Sequence, residues 1–194
     1  TACKLHFIFF QLCVILALRW GSVRFQPFVY DRENQRVLVT ITPMTQQDAL
    51  ETTKEPRWQT DWTSDYIQKS RFDVYGCKTQ VGELVALGAY EMSENVVAVH
   101  IVYMESQAQS NPTLCESPRY HGIGRALIAY GIKLSVDAGF NGDVTLDAKT
   151  PELAKHYERD FGALPIPGRE RGAAPRYLIC DEAARDIFVS YLED

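Results

Sequence analysis

The sequence predicts an α+β fold whose central sheet is mixed, mostly antiparallel and flanked by helices on both faces. Three observations lead there. Between Phe72 and Met104 three apolar runs, 72–78, 83–91 and 96–104, follow one another across short turns at Gly82 and at 93–95, the pattern of an antiparallel meander. The third run, VVAVHIVYM, is apolar on both faces, as a mid-sheet strand covered from both sides would be. Beyond it the period changes, because a glycine turn at 122–124 opens an amphipathic helix with a strand directly after it, which supplies helical cover for the sheet.

Upstream of the meander, Arg36–Thr42 is rich in β-branched residues and is stopped by Pro43, so it reads as the first core strand. From Thr45 to Ser70 the chain is polar and helix-permissive, interrupted by Pro56, with Trp58, Trp62 and Tyr66 spaced by four on one helical face. A helix anchoring itself to the sheet is the simpler reading of those rings, and a substrate-facing aromatic wall is the alternative. A polar loop from Glu105 to Pro118, with its turn at Asn111-Pro112, precedes the glycine motif. From Ile123 to Ala138 the residues Ile123, Leu127, Tyr130 and Leu134 form one stripe, widened by Ile128 and Ile132, and Gly139 ends the helix.

Asp143–Ala148 alternates cleanly, with Val144, Leu146 and Ala148 on one face of a strand. Thr150 is placed to cap a helix with Pro151 at its first position and Gly162 after its last residue, Phe161. A loop of Pro, Gly and Arg leads to the strand Arg176–Cys180, and Asp181–Leu192 carries Ala184, Ile187, Phe188 and Tyr191 at helical spacing.

The chain has 194 residues, of which 46% are hydrophobic and 23% charged. That composition suits one packed domain, expected over 23–194, and excludes both disorder and a polytopic membrane protein. A formal net charge of -5, without runs of Lys or Arg, argues against a phosphate-tracking nucleic-acid surface. The five cysteines are widely spaced and contain no CxxC pair, which fits reduced thiols in a cytoplasmic setting better than a disulfide framework. The four histidines form no HExxH or other close ligand pair, so no metal is expected. The stretch Leu5–Leu18 is fourteen mostly apolar residues between Lys4 and Arg19, short of the roughly 20 that span a bilayer. An extension packed on the domain and a signal or anchor remnant both remain open for it.

The segment that carries chemistry is Arg119-Tyr120-His121-Gly122-Ile123-Gly124-Arg125. A glycine turn at a helix N-terminus presents unpaired N–H groups and the positive end of the helix dipole, both suited to a pyrophosphate. Gly122 and Gly124 leave room for close approach to the backbone. Taken alone, two glycines before a helix are also an ordinary tight turn. A third glycine and a compact βαβ unit are missing for a dinucleotide fingerprint, and no GK[ST] follows for a Walker loop.

The run RYHGIG at 119–124 resembles the cofactor motif of the GNAT N-acetyltransferases, and the strand DVTLDA followed by a helix holding AKHYERDFGA is similar to that family in the same order. The resemblance extends over about Val37 to Cys180 and is specific from Val96 to Ala163. It departs in the long loop Glu105–Pro118 and in Ala163, where the family more often has Phe. The resemblance implies a GNAT acyl-CoA N-acyltransferase fold with acetyl-CoA as co-substrate. Its pyrophosphate would lie on the amides of residues 120 to 125, its pantetheine arm beside the end of the 96–104 strand, and its thioester oxygen near the Tyr103 amide. Arg119, Tyr120, His121, Gly122, Ile123, Gly124 and Arg125 are then the cofactor-binding set, with Tyr103. Tyr157 stands where many relatives carry the acid that protonates the leaving thiolate. Glu105 is the candidate base for the amine, with Glu91 and His100 behind it, and a solvated loop carboxylate is the plainer reading of Glu105. The acceptor is an amine of a small molecule, peptide or protein, and a homodimer is left open. The alternatives are a non-catalytic acyl-CoA-binding module and a toxin that acetylates aminoacyl-tRNA, the latter disfavoured by the acidic balance.

Overall fold

A computed structural model of the chain describes residues 24–92, 97–168, 170 and 172–193. The apolar stretch Leu5–Leu18 and the turn at 93–95 lie outside the described residues. An eight-stranded sheet runs in the order β2 (Phe28–Tyr30), β3 (Arg36–Pro43), β4 (Asp73–Thr79), β5 (Leu84–Met92), β6 (Val99–Ser106), β7 (Val144–Asp147), β9 (Arg176–Ile179), β8 (Leu164–Ile166). Every neighbouring pair is antiparallel except β6 with β7. The mixed, mostly antiparallel sheet is the one the sequence predicts.

One face carries the larger core. Val39, Cys77, Val99, Ile101, Val144, Leu146 and Ile179 from the sheet pack there under Leu127, Ile128 and Ile132 of α3 (Ile123–Asp137), with Tyr157 and Phe161 of α4 (Pro151–Phe161) and Ile187 of α5 (Asp181–Val189). The opposite face holds a smaller core of Trp62, Ile67, Leu84, Leu87 and Ala89, covered by α1 (Gln46–Glu51), α2 (Asp65–Gln68) and the chain between them. Thr150 caps α4 as expected, its hydroxyl accepting from the Leu153 amide at 3.2 Å, and Gly162 closes it in the left-handed conformation at φ 61°.

Three expectations need correction. Between 45 and 70 the helices cover only Gln46–Glu51 and Asp65–Gln68, and Trp58 and Trp62 lie in the chain between them; Trp62 is buried while Tyr66 is exposed, so the rings share no helical face. The third meander strand reaches past Met104 to Ser106, since Leu87↔Glu105 and Ala86↔Ser106 extend the ladder. The terminal helix stops at Val189, after which β10 (Leu192–Glu193) pairs with β1 (Arg24–Phe25) in a separate ribbon. No helix among the described residues is long and apolar enough to cross a membrane.

Candidate cofactor and acceptor site

The parallel pair β6–β7 sets the geometry of the site. It is paired only over Val99–Ile101 against Val144–Leu146. Beyond Ile101, β6 continues with β5 alone, while β7 turns away after Asp147 into α4. The register passes from Tyr90↔Ile101 to Ala89↔Tyr103, leaving Val102 as the extra residue of a bulge. Bulges bend a strand and increase its twist, and this one sits where β7 is lost. The two strands therefore splay, and the β6 backbone from Val102 onward has no strand on that edge.

The loop after β6 returns to the same end of the sheet. Arg119 donates its amide to the Gln109 carbonyl at 2.8 Å, and Tyr120 donates its amide to the Ser110 hydroxyl at 3.1 Å. This fastening holds the N-terminus of α3 at the open end of the splay. The helix then runs back across the sheet, where a Cβ on Gly131 would meet Ile101 at 3.1 Å. His121 makes a two-way backbone bridge with Tyr30, its ring stacks on Tyr30 at 5.5 Å, and its Nε2 lies 2.9 Å from Asn34 Oδ1.

These contacts narrow the donor set expected for a pyrophosphate. The amides of Tyr120 and His121 are consumed inside the protein, whereas those of residues 122 to 125 have no acceptor among the described residues. They are the orphan N–H groups that begin a helix, at the positive end of its dipole. Gly122 is left-handed at φ 79°, and a Cβ on Gly124 would meet nothing within 4 Å. Gly122 and Gly124 are both exposed, so a pyrophosphate could approach this helix terminus from solvent. Of the basic side chains, Arg125 forms no ion pair among the described residues. Arg119 is committed to Glu83 at 3.0 Å, and the same carboxylate oxygen accepts from the Tyr120 hydroxyl at 3.0 Å. Burial and that carboxylate raise the Tyr120 hydroxyl above its ordinary pKa. Glu83 has no local sequence signal, because its partners lie in a distant loop.

Tyr157 is 5% exposed, with its ring 6.1 Å from Tyr177, which pairs with Leu146 in β7. Burial, reinforced by the charge of Asp147, pushes its pKa up to about 12, so the phenol holds its proton at neutral pH. Tyr103 lies two residues past the last β6–β7 pair, on the opposite face of the sheet. Its ring meets Trp62 and Phe72 edge-on at 6.4 Å each, and the Lys149 ammonium sits 4.9 Å from its centroid.

Glu105 is 8% exposed, and it accepts from the amides of Gln59 and Thr60 and from the Trp62 indole. The solvated loop carboxylate considered from sequence is therefore ruled out by burial. The groups behind it are also engaged. Glu91 pairs with Arg71, and His100 places Nδ1 3.2 Å from the Thr145 carbonyl and Nε2 3.1 Å from the Arg176 guanidinium. Burial first, then the Arg176 charge, lowers the His100 pKa, which keeps the imidazole neutral. Arg176 is held in turn by both oxygens of Asp147.

Two cavities border the loop rather than the splay. One, of about 460 Å³, lies between α1 and the β4–β5 turn and is lined by Asp48, Glu51, Trp58, Glu83 and Arg119 among others. The second, of about 500 Å³, is lined by Asp31, Arg32, Glu33, Gln109, Arg119 and Tyr120. Among the described residues no group of three or more His, Cys, Asp or Glu is placed to hold a metal.

No family model matches the sequence, and no curated protein does. Solved structures do resemble the fold. A spermidine N-acetyltransferase from Vibrio cholerae superposes with a TM-score of 0.50 at 11% identity, over 76% of this chain and 96% of that one. An acetyltransferase of the GNAT family from Listeria monocytogenes gives 0.49 at 12% identity, over 73% and 94%. A histone acetyltransferase HPA2 and related acetyltransferase from Corynebacterium glutamicum gives 0.47 at 19%, over 74% and 96%. Identities this low speak to architecture, and the architecture is the GNAT acetyltransferase fold.

Proposed function

We propose that this GNAT-fold chain is an N-acetyltransferase that moves the acetyl group of acetyl-CoA to a primary amine. The observation that carries the reading is the set of unpaired amides at residues 122 to 125, facing open space at Gly124, at the open end of the β6–β7 splay. Those amides would hold the pyrophosphate, with Arg125 beside them, and the splay would take the pantetheine arm. Donors on the unpaired edge of β6 near Tyr103 would face the thioester oxygen as charge develops on it.

In the transfer, the amine nitrogen attacks the thioester carbon, the new C–N bond forms and the C–S bond breaks. The departing thiolate takes the hydroxyl proton of Tyr157, whose raised pKa keeps it a donor across the physiological range. An alkyl amine of pKa about 10 must first shed a proton. Glu105, Glu91 and His100 are each already engaged, so water on the acceptor side carries that proton away. The rate should therefore climb with pH toward the pKa of the amine.

The test is thiol release from acetyl-CoA against spermidine, a lysine peptide and small alkyl amines, alongside calorimetric titration of acetyl-CoA. Binding with turnover of at least one amine supports the reading. Binding without turnover of any amine would leave a non-catalytic acyl-CoA module, and absence of binding would remove the cofactor site altogether.

A further inference from the structure

Glu105 stands on β6 past the splay, where a base for the incoming amine would be sought, yet its surroundings suit a different task. Its two oxygens accept three N–H groups: the Gln59 amide at Oε1, and the Thr60 amide at 3.1 Å and the Trp62 indole at 2.9 Å at Oε2. All three donors come from the segment between α1 and α2, more than forty residues away in sequence. Ionised, a carboxylate only accepts; protonated, it keeps fewer acceptor sites and would direct an O–H among these three donors. A base takes up and releases a proton in every turnover, and here each uptake would loosen the segment. The arrangement is that of a hydrogen-bond acceptor with both oxygens occupied by donors of one segment.

What the carboxylate holds is the acceptor side of the splay. Trp62, fully buried, is fixed through its indole and meets Tyr103 edge-on at 6.4 Å. Gln59, fixed through its amide, accepts with its side chain from Asn111 Nδ2 at 3.4 Å, which ties in the long loop after β6. One buried carboxylate thus connects β6, the α1–α2 segment and, through Gln59, the loop leading to the helix N-terminus.

We propose that Glu105 is a positioning residue that sets Tyr103 on the acceptor side by clamping residues 59–62, with the buried Trp62 that backs Tyr103, to the end of β6. The acceptor part of this assignment rests on the acetyl-transfer reading, while the clamp itself is a property of the fold. Two variants test it. Glu105→Gln keeps the shape but turns an NH2 toward donors, and Trp62→Phe removes one donor while keeping a ring and leaving the carboxylate intact.

Hydrogen exchange followed by NMR reads the clamp directly. The Gln59 and Thr60 amides should exchange about tenfold faster or more in Glu105→Gln, and to a smaller degree in Trp62→Phe, while the β4–β5 ladder is unchanged. Unchanged protection at both amides overturns the proposal, whether or not the protein acetylates anything. With the best amine of the panel, both variants should raise the acceptor KM, by about tenfold for Glu105→Gln, with a smaller fall in kcat and no shift in the pH at half-maximal kcat/KM. If Glu105→Gln instead lowers kcat by about 100-fold or more and moves that pH while Trp62→Phe keeps full turnover, Glu105 is a base and the positioning role fails. If the wild-type chain does not bind acetyl-CoA in calorimetry, the acetyl-transfer reading falls, and the exchange experiment still decides the clamp.

Discussion

Tyr157 and Asp143 show how burial gives single residues their chemistry. Tyr157 is held as a phenol by burial and by the nearby Asp147 charge, so Tyr157→Phe should lower kcat by about 100-fold in thiol release while calorimetric affinity for acetyl-CoA stays within a factor of about two. An unchanged kcat would reduce the tyrosine to a packing role. Asp143 is pushed up to about 6 by burial and then by the like charge of Asp181. A carboxylate with a raised folded pKa contributes stability that is full below its unfolded value near 4 and gone above about 6, so at neutral pH the pair is a net cost. Asp143→Asn should therefore raise Tm by a few degrees at pH 7, on the order of 1–2 kcal/mol, and do nothing near pH 4. The candidate acid was named from sequence through a resemblance, that of the YER helix after a strand, whose residues are local. The commitments of Glu105 and Arg119 were not, because their partners Trp62 and Glu83 are distant in the chain.

At the scale of elements, the N-terminus of α3 is the part most open to decisive substitution. Gly124→Glu places a carboxylate in empty space at a helix position where acidic residues are favourable, so the fold should tolerate it. Acetyl-CoA affinity should nonetheless fall by about 100-fold, because the new charge occupies the place proposed for phosphate. Retained affinity in a calorimetric titration would exclude the helix terminus as the pyrophosphate site. Gly122→Ala acts differently, since φ of 79° costs an L-residue roughly 1–2 kcal/mol, and its signature is a lowered Tm. The spans of α3, β7 and α4 could be read from periodicity and caps, because Gly122, Thr150 and Gly162 act locally. The α1–α2 region could not, because Trp62 is placed by a carboxylate on β6 rather than by helical spacing.

For the molecule as a whole, the two faces of the sheet divide the labour. The larger core fixes α3, α4 and α5, and the smaller one carries the segment from α1 to α2. Several acids in the larger core are held neutral by burial, with Cys77, Tyr157 and Tyr191 each pushed up to about 12 and Tyr90 raised well above its ordinary value. Each contributes stability that is complete below its unfolded pKa, about 9 for the thiol and 10 for the phenols, and is lost as pH climbs toward the folded value. Thermal melts should accordingly be flat from pH 7 to 8.5 and fall steeply between about 9 and 12, with Cys77→Ala delaying the onset. A Tm insensitive to pH across that window would contradict the burial of these groups. By itself the sequence determined the spans of α3, β7 and α4, the glycine turn that opens α3, and the resemblance that named the fold, since caps, turns and apolar period are local properties of the chain. Only the tertiary structure decided that β6 and β7 part after Ile101, that the open amides begin at Gly122 rather than Tyr120, and that Glu105 holds a loop in place. Each of these depends on groups far apart in sequence competing for the same hydrogen bonds, and that competition is settled only when the sheet is assembled.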